Sequence, residues 1–282
     1  MSASMTDKAV ALPQVAPHRS TPLIAFGSLL LRDLTVLRKT FITFALRTIM
    51  QPLLFVFVFT YVFPKIGQAV GGTQNAAVFS SLLVPGVVAI ACIFQGIQAV
   101  ALPLVQEFGY TREIEDRVMA PMPVWAVAVE KLAAGALQGL IAALIVFPLA
   151  LVVPSTPVHM DVQLFRLITL LPLACITGAA LGLLIGTSVS PRNVPLIFTL
   201  AVIPITFLGA TYYPWASLTP ILWLKYVVLI NPLVYMSEGM RVSLTPDLVP
   251  HMALWAIYAG LLLFTVVLSG LGIKGFTKRV QT

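Results

Sequence analysis

Charge is what this 282-residue chain has least of. Only 10% of its residues are Asp, Glu, Lys or Arg, where a soluble domain carries about 25%. Hydrophobic residues make up 59% and the mean hydropathy is +0.98. This composition excludes an ordinary soluble domain and describes one integral membrane domain. Cys92 and Cys175 are the two cysteines, each inside an apolar run, at a spacing that fits no zinc site and argues against a disulfide. Histidine is limited to His18 in the leading tail and His159 and His251 at the ends of apolar runs. Ser188 sits in Gly-Thr-Ser-Val-Ser, without the Gly-x-Ser-x-Gly elbow of a hydrolase. No Gly-x-x-x-x-Gly-Lys-Ser/Thr loop occurs, so the chain cannot cradle nucleotide phosphates in that way. The centres of the apolar runs hold no charged residue or histidine. That disfavours a proton-coupled carrier, which needs an intramembrane group that changes charge, and a charge-ringed ion channel. No apolar stretch at the start ends in small residues, so no cleavable leader is expected.

What is present is a series of membrane-length apolar runs. Residues 1–22 are polar and interrupted by Pro13, Pro17 and Pro22, and are expected to form a disordered tail. Over residues 23–47, Leu30, Leu34, Leu37, Phe41 and Phe44 repeat at helical steps. Ser28, Arg32, Thr35, Lys39 and Thr43 form a polar stripe of the same period, which predicts an amphipathic helix in the membrane surface. A helix needs about 17–25 residues to cross the hydrocarbon. Six such spans are predicted over residues 48–273, at about Leu46–Phe63, Val78–Leu102, Leu132–Val153, Leu167–Val189, Val194–Tyr212 and Met252–Ile273. Gly178, Gly182 and Gly186, four apart, allow close helix contact, with packing inside the chain preferred to a dimer seam. Between the fifth and sixth spans, Tyr212–Asp247 is apolar but carries Lys225, Glu238 and Arg241 and is broken by prolines. Short helices dipping into the outer face are expected there, with Trp215, Trp223, Tyr226 and Tyr235 at the interface. Residues 274–282 form a basic tail. Of the 17 Lys and Arg, Lys65, Arg166, Lys225 and Arg241 fall on outer segments and the rest on inner ones. The positive-inside rule then makes both termini cytoplasmic in a multi-pass plasma-membrane protein.

One charged island interrupts the pattern. Leu104–Lys131 holds Glu107, Arg112, Glu113, Glu115, Asp116, Arg117, Glu130 and Lys131 between two long apolar runs. It reads as a water-side loop carrying one short helix, ended by Pro121 and Pro123. Such a helix either pairs with a soluble partner or is simply solvated, and the residues alone leave both open.

Further stretches carry a resemblance. Gln51-Pro52-Leu53-Leu54-Phe55 opens the first span and Leu83-Val84-Pro85-Gly86 starts the second. The island contributes Glu107, Gly109, Arg112-Glu113, Asp116-Arg117, Ala120-Pro121-Met122-Pro123 and Glu130-Lys131. Asn231-Pro232-Leu233 and Glu238-Gly239-Met240-Arg241 precede the last span. In this order, over roughly Leu29–Ile273, they resemble the membrane (permease) subunit of type-2 ATP-binding-cassette exporters. Many members have Gly-Thr after the inner-loop Glu; Ile114-Glu115-Asp116-Arg117-Val118 is closer to the daunorubicin-resistance and nodulation-factor export branches. The resemblance implies an all-α, six-span fold that is not itself an enzyme and carries no cofactor. ATP and Mg would be used by a separate cassette ATPase, present in two copies, beside a second permease copy or paralogue. Glu107, Arg112, Glu113, Glu115, Asp116 and Arg117 would contact the ATPase. Pro214, Trp215, Trp223, Asn231, Pro232, Glu238 and Arg241 would belong to an outer gate. Phe55, Phe59, Phe94, Phe198 and Phe207 are candidates for the path wall, with packing the commoner role for each.

The expected function is export of an amphipathic or hydrophobic compound: a drug, as in antibiotic resistance, a natural product or a lipid. Export of a lipid-linked glycan or lipo-oligosaccharide is the alternative within that class. A membrane enzyme or scaffold without an ATPase is the alternative outside it, and no nucleic-acid role is expected. In a Glu115→Cys variant, a membrane-impermeant maleimide should leave position 115 unlabelled in intact cells and label it once the membrane is opened. Labelling in intact cells would reverse the topology.

Overall fold

The computed structural model describes residues 22–66, 76–111, 122–154, 158, 160–190, 193, 196, 200, 202–248 and 250–281. All regular structure in them is helical. Helices α1 (Pro22–Lys39) and α2 (Phe41–Val56) lead, and α2 runs on through a π-helical stretch, Phe57–Val62, to Lys65. They are followed by α3 (Ala76–Gln106), α4 (Val124–Val152), α5 (Leu164–Ser188), the short α6 (Ile203–Phe207) and α7 (Leu222–Val227), then α8 (Pro232–Leu244) and α9 (Leu254–Val280). Among the described residues, five helical stretches are long and apolar enough to cross a bilayer: Phe41–Val62, Val78–Gly109, Val124–Val152, Leu164–Ser188 and Leu254–Val280. The predicted fifth span, Val194–Tyr212, is described at 196, 200 and 202–212; it is helical to the end of α6 and then turns.

The bundle is built around α3. Its apolar stretch is 89% buried, against 18% for the first span and 28% for the last. Small residues let α5 lie directly on it. A methyl added at Gly178 would stand 2.9 Å from the Cys92 carbonyl oxygen, and one at Gly182 would stand 3.0 Å from the Ile97 Cα. One at Gly186 would be 3.0 Å from the Ala101 Cα. The glycine stripe is therefore a contact within the chain, as the preferred reading had it. Hydroxyl pairs tie α5 to α9, with Thr177 and Thr265 at 2.7 Å and Thr169 bonded to Tyr258.

Several boundaries differ from those expected. The single amphipathic helix over 23–47 breaks at Thr40, whose backbone leaves the helical region (φ −105°, ψ 16°) and whose hydroxyl bonds the Val36 carbonyl at 2.9 Å. The first span thus starts at Phe41 and includes Arg47. On α1, Leu23, Ile24 and Leu31 are exposed on a helix that also bears Arg32, Asp33, Arg38 and Lys39. The π-helical stretches Phe57–Val62 and Glu107–Thr111 begin five and four residues after a proline, Pro52 and Pro103. A proline removes one hydrogen bond from the ladder, and the wider turn that follows is one way the backbone accommodates it. The charged island is narrower than expected. Glu107 closes α3, while Glu130 and Lys131 lie in the second turn of α4 and are buried. Arg112, Glu113, Glu115, Asp116 and Arg117 fall outside the described residues. The expected basic tail continues α9 to Val280, and Phe276 is fully buried. Arg279 donates to the carbonyls of Val189 (2.9 Å), Gly186 (3.2 Å) and Thr187 (3.4 Å), satisfying the free end of α5. It also lies 4.7 Å over the Phe108 ring.

Gly182→Val should push α3 and α5 apart, because the clash is with backbone. A loss of roughly 1–3 kcal/mol is expected for such overpacking, read as a lower unfolding midpoint in detergent.

Candidate functional site

Two sites stand at opposite ends of α2 and α3. The first is formed by the segment before the last span. Its sequence divides it into an exposed part and a buried one. On α7 no residue is buried, and Trp223 and Tyr226 face outward. On α8 every residue but Tyr235 is buried, because α8 sinks between α3, α5 and α9 rather than lying at the rim.

Burial obliges α8 to satisfy the backbone around it, and its polar side chains do so. Asn231 caps the helix by accepting from the Leu233 N–H at 2.9 Å, while its amide donates to the Ile205 carbonyl at 2.7 Å. Ser237 donates to the Gly209 carbonyl at 2.7 Å, and Arg241 to the Ala210 carbonyl at 3.0 Å. Ala210 holds a left-handed conformation (φ 52°), which costs a non-glycine residue roughly 1–2 kcal/mol. Glu238 and Arg241 form an ion pair with no solvent exposure on either side chain. The Glu238 carboxylate also accepts from the backbone N–H of Trp215 and of Met252, both at 2.9 Å. One helix thereby fastens residues 205–215 and the start of the last span. Gly86 completes the fit, since any side chain there would overlap the Thr211 carbonyl. The last carbonyls of α8 are met in turn by Arg166 on Val242 (3.2 Å), the Gln163 N–H on Ser243 (2.8 Å) and the Asp161 N–H on Leu244 (3.0 Å).

Of the residues expected at an outer gate, Trp215, Asn231, Glu238 and Arg241 meet in this network. Pro214 precedes the turn Trp215–Leu218, and Pro232 opens α8. Trp223 stands apart, 68% exposed. Trp215 is held by its indole N–H on the Lys225 carbonyl (3.0 Å) and by the Lys225 ammonium 4.5 Å over its ring. Beside the network, Phe55, Phe59 and Phe207 surround Tyr212, with ring centroids 5.5, 5.8 and 6.0 Å from it. Phe94 lies elsewhere, in a small pocket with Pro52, Ile90 and Ala91. Phe198 falls outside the described residues.

The second site is a cleft of about 520 Å³ between α1, α2, α3 and α4. Lys131, 4% exposed, reaches Glu107 at 3.0 Å and Asp33 at 3.4 Å, joining α4 to the end of α3 and to α1. Further along, Arg47 donates through Nε to the Gln98 carbonyl oxygen. Thr48 donates to Gln95 at 3.1 Å, and Gln95 donates to Gln138 at 3.4 Å. The path walls are expected to be apolar and aromatic; this cleft is charged and amide-lined. Asp33, Arg47, Gln95, Gln98 and Gln138 were not singled out from the sequence. The available signal was three glutamines in otherwise apolar spans, which a search for charge alone passes over. Of the expected ATPase contacts, Glu107 is 6% exposed and engaged with Lys131, so it holds the base of the island.

A helical membrane protein with a polar cleft at one end of its spans and the buried Glu238–Arg241 network at the other has the build of a transport subunit. The chain belongs to the ABC-2 type transporter family, whose pattern it matches over residues 24–245. It is 27% identical over 199 residues to the inner membrane transport permease YadH of Escherichia coli K12, covering 69% of this chain and 74% of that one. The same identity and coverage hold for YadH of Escherichia coli O157:H7 and of Shigella flexneri.

Arg241→Met should cost roughly 3–5 kcal/mol, because it strands a buried carboxylate. Adding Glu238→Gln should recover part of that loss, since a neutral amide no longer leaves an unpaired charge. Thermal unfolding of both variants in detergent measures the difference.

Proposed function

We propose that this chain forms the membrane path of a plasma-membrane exporter, with both termini cytoplasmic. In this reading it moves an amphipathic or hydrophobic compound outward: a drug, natural product or lipid. ATP and Mg act on a separate cassette ATPase, bound in two copies, and a second permease copy or paralogue completes the path. The observation that carries the reading is the placement of the two sites on the same helices. Arg47 and Phe59 are twelve residues apart on the first span, as are Gly86 and Gln98 on α3, about 18 Å at 1.5 Å per residue. A polar mouth thus faces the inner side while aromatic rings and the Glu238–Arg241 staple close the outer side. Cargo with both polar and apolar parts suits such a lining.

Coupling is assigned to the island. Glu107 anchors its start, and Arg112, Glu113, Glu115, Asp116 and Arg117 would face the ATPase. Closure of the ATPases on ATP would move this segment and, through Lys131, the neighbouring α1 and α4. Such motion switches a path from inward-open to outward-open when the two packings differ by only a few kcal/mol. The cleft's three glutamines favour one second reading, a lipid-linked glycan or lipo-oligosaccharide, because amides pair well with sugar hydroxyls.

Membrane vesicles containing the chain and its cassette ATPase should show ATP-driven flux of a hydrophobic drug. Movement of a lipid-linked glycan with no drug flux selects the second reading. The double variant Glu113→Lys, Arg117→Glu should uncouple ATP hydrolysis from flux while leaving the unfolding midpoint unchanged. Purification from native membranes with no ATPase, and an interaction profile unmoved by that charge reversal, would overturn the exporter reading.

A further inference from the structure

The inner cleft holds chemistry that a purely apolar cargo has no use for. Polar side chains inside spans are costly and mark functional positions, yet Arg47, Thr48, Gln95, Gln98 and Gln138 converge here from three spans. Their mutual bonds leave donors over. Gln98 accepts from Arg47 through its oxygen, and its amide nitrogen meets no partner among the described residues. The same holds for the Gln138 nitrogen and for both terminal nitrogens of Arg47. Among Arg47, Gln98 and Gln138, the groups left over are donors.

Charge points the same way. Asp33 and Glu107 both lie on the Lys131 ammonium, so a cationic guest would have to displace a nearly buried lysine to reach either carboxylate. Arg47 has a neutral amide beside it and presents its guanidinium to the cleft. A guanidinium flanked by amide donors matches the oxygens of a phosphate, sulfate or carboxylate, which accept several hydrogen bonds in one plane. The cleft's volume is ample for a headgroup. A second, small pocket of about 20 Å³ shares Arg47, Gln95 and Gln98 with the cleft and adds Pro52, Ile90 and Phe94 to its lining.

We propose that this cleft is the headgroup site for an amphiphile with an oxyanion head, bound by Arg47 and by the amide nitrogens of Gln98 and Gln138. This deepens the exporter reading, on which it rests for the direction of movement but not for binding itself.

The test is binding to the purified full chain in a neutral polyoxyethylene detergent, followed by the shift in unfolding midpoint on titration. The probes are dodecyl phosphate, dodecyl maltoside, dodecyltrimethylammonium and inorganic phosphate. Dodecyl phosphate should bind saturably and at least tenfold more tightly than the other three. Arg47→Gln should weaken it about tenfold and Gln98→Leu about threefold, whereas Lys274→Gln on the last span, outside the cleft lining, should leave it unchanged. Should Arg47→Gln fail to fold, the unaltered chain still decides, because binding must weaken between about 50 and 500 mM salt as charges are screened. Equal or tighter binding of the maltoside or the ammonium compound overturns the proposal, as does dodecyl phosphate binding indifferent to Arg47→Gln or to salt. Inorganic phosphate binding as tightly would make the ligand a free anion and also overturns it. Loss of ATP-driven flux with the binding intact strikes only the exporter reading; flux without dodecyl phosphate binding strikes only the headgroup site.

Discussion

A backbone broken by proline inside an apolar layer must find partners for its amides and carbonyls, because no water is there to supply them. The segment between the fifth and sixth apolar runs meets that demand from one helix. Asn231, Ser237, Glu238 and Arg241 of α8 bond Ile205, Gly209, Ala210, Trp215 and Met252. The Glu238–Arg241 pair stands at the centre with no exposure. A buried ion pair is weak evidence of stability, since desolvation offsets much of the attraction. Its evident role here is geometric: two opposite charges let one small volume both donate to carbonyls and accept from amides. The left-handed Ala210 and the Gly86 contact with Thr211 persist because that network holds them.

The inner end obeys the same constraint with a different result. Lys131 is fixed by two carboxylates from different helices, so α1, α3 and α4 meet at one ammonium just before the island. Beyond it the polar groups leave donors over and a cleft open. One end of the span layer is therefore packed around a buried ion pair, and the other holds a polar cleft.

Much of this was legible in the residues. The absence of charge from the runs gave the spans, and the order of short stretches such as Asn-Pro-Leu and Glu-Gly-Met-Arg pointed to the family. Why those stretches read as they do was not legible. Asn231 is both cap and brace, a methyl on Gly239 would stand 3.3 Å from the Ile257 side chain, and Arg241 reaches a carbonyl 31 residues away. Charge by itself does not mark water at the inner ends. Arg47, Glu107 and Lys131 are charged yet belong to spans, each with a partner contributed by another helix.

The chain's own order of residues determined its environment, its helical character and the sequence of its spans. Hydropathy and backbone satisfaction act locally, residue by residue, and leave a helix as the one economical solution in a bilayer. Tertiary structure decided which polar groups face one another. Arg47 with Gln98 and Asp33 with Lys131 are 51 and 98 residues apart. Such pairings depend on the rotation and depth of each helix, which are set by close contacts like those of Gly178 and Gly182 on α3 and leave no trace in local periodicity.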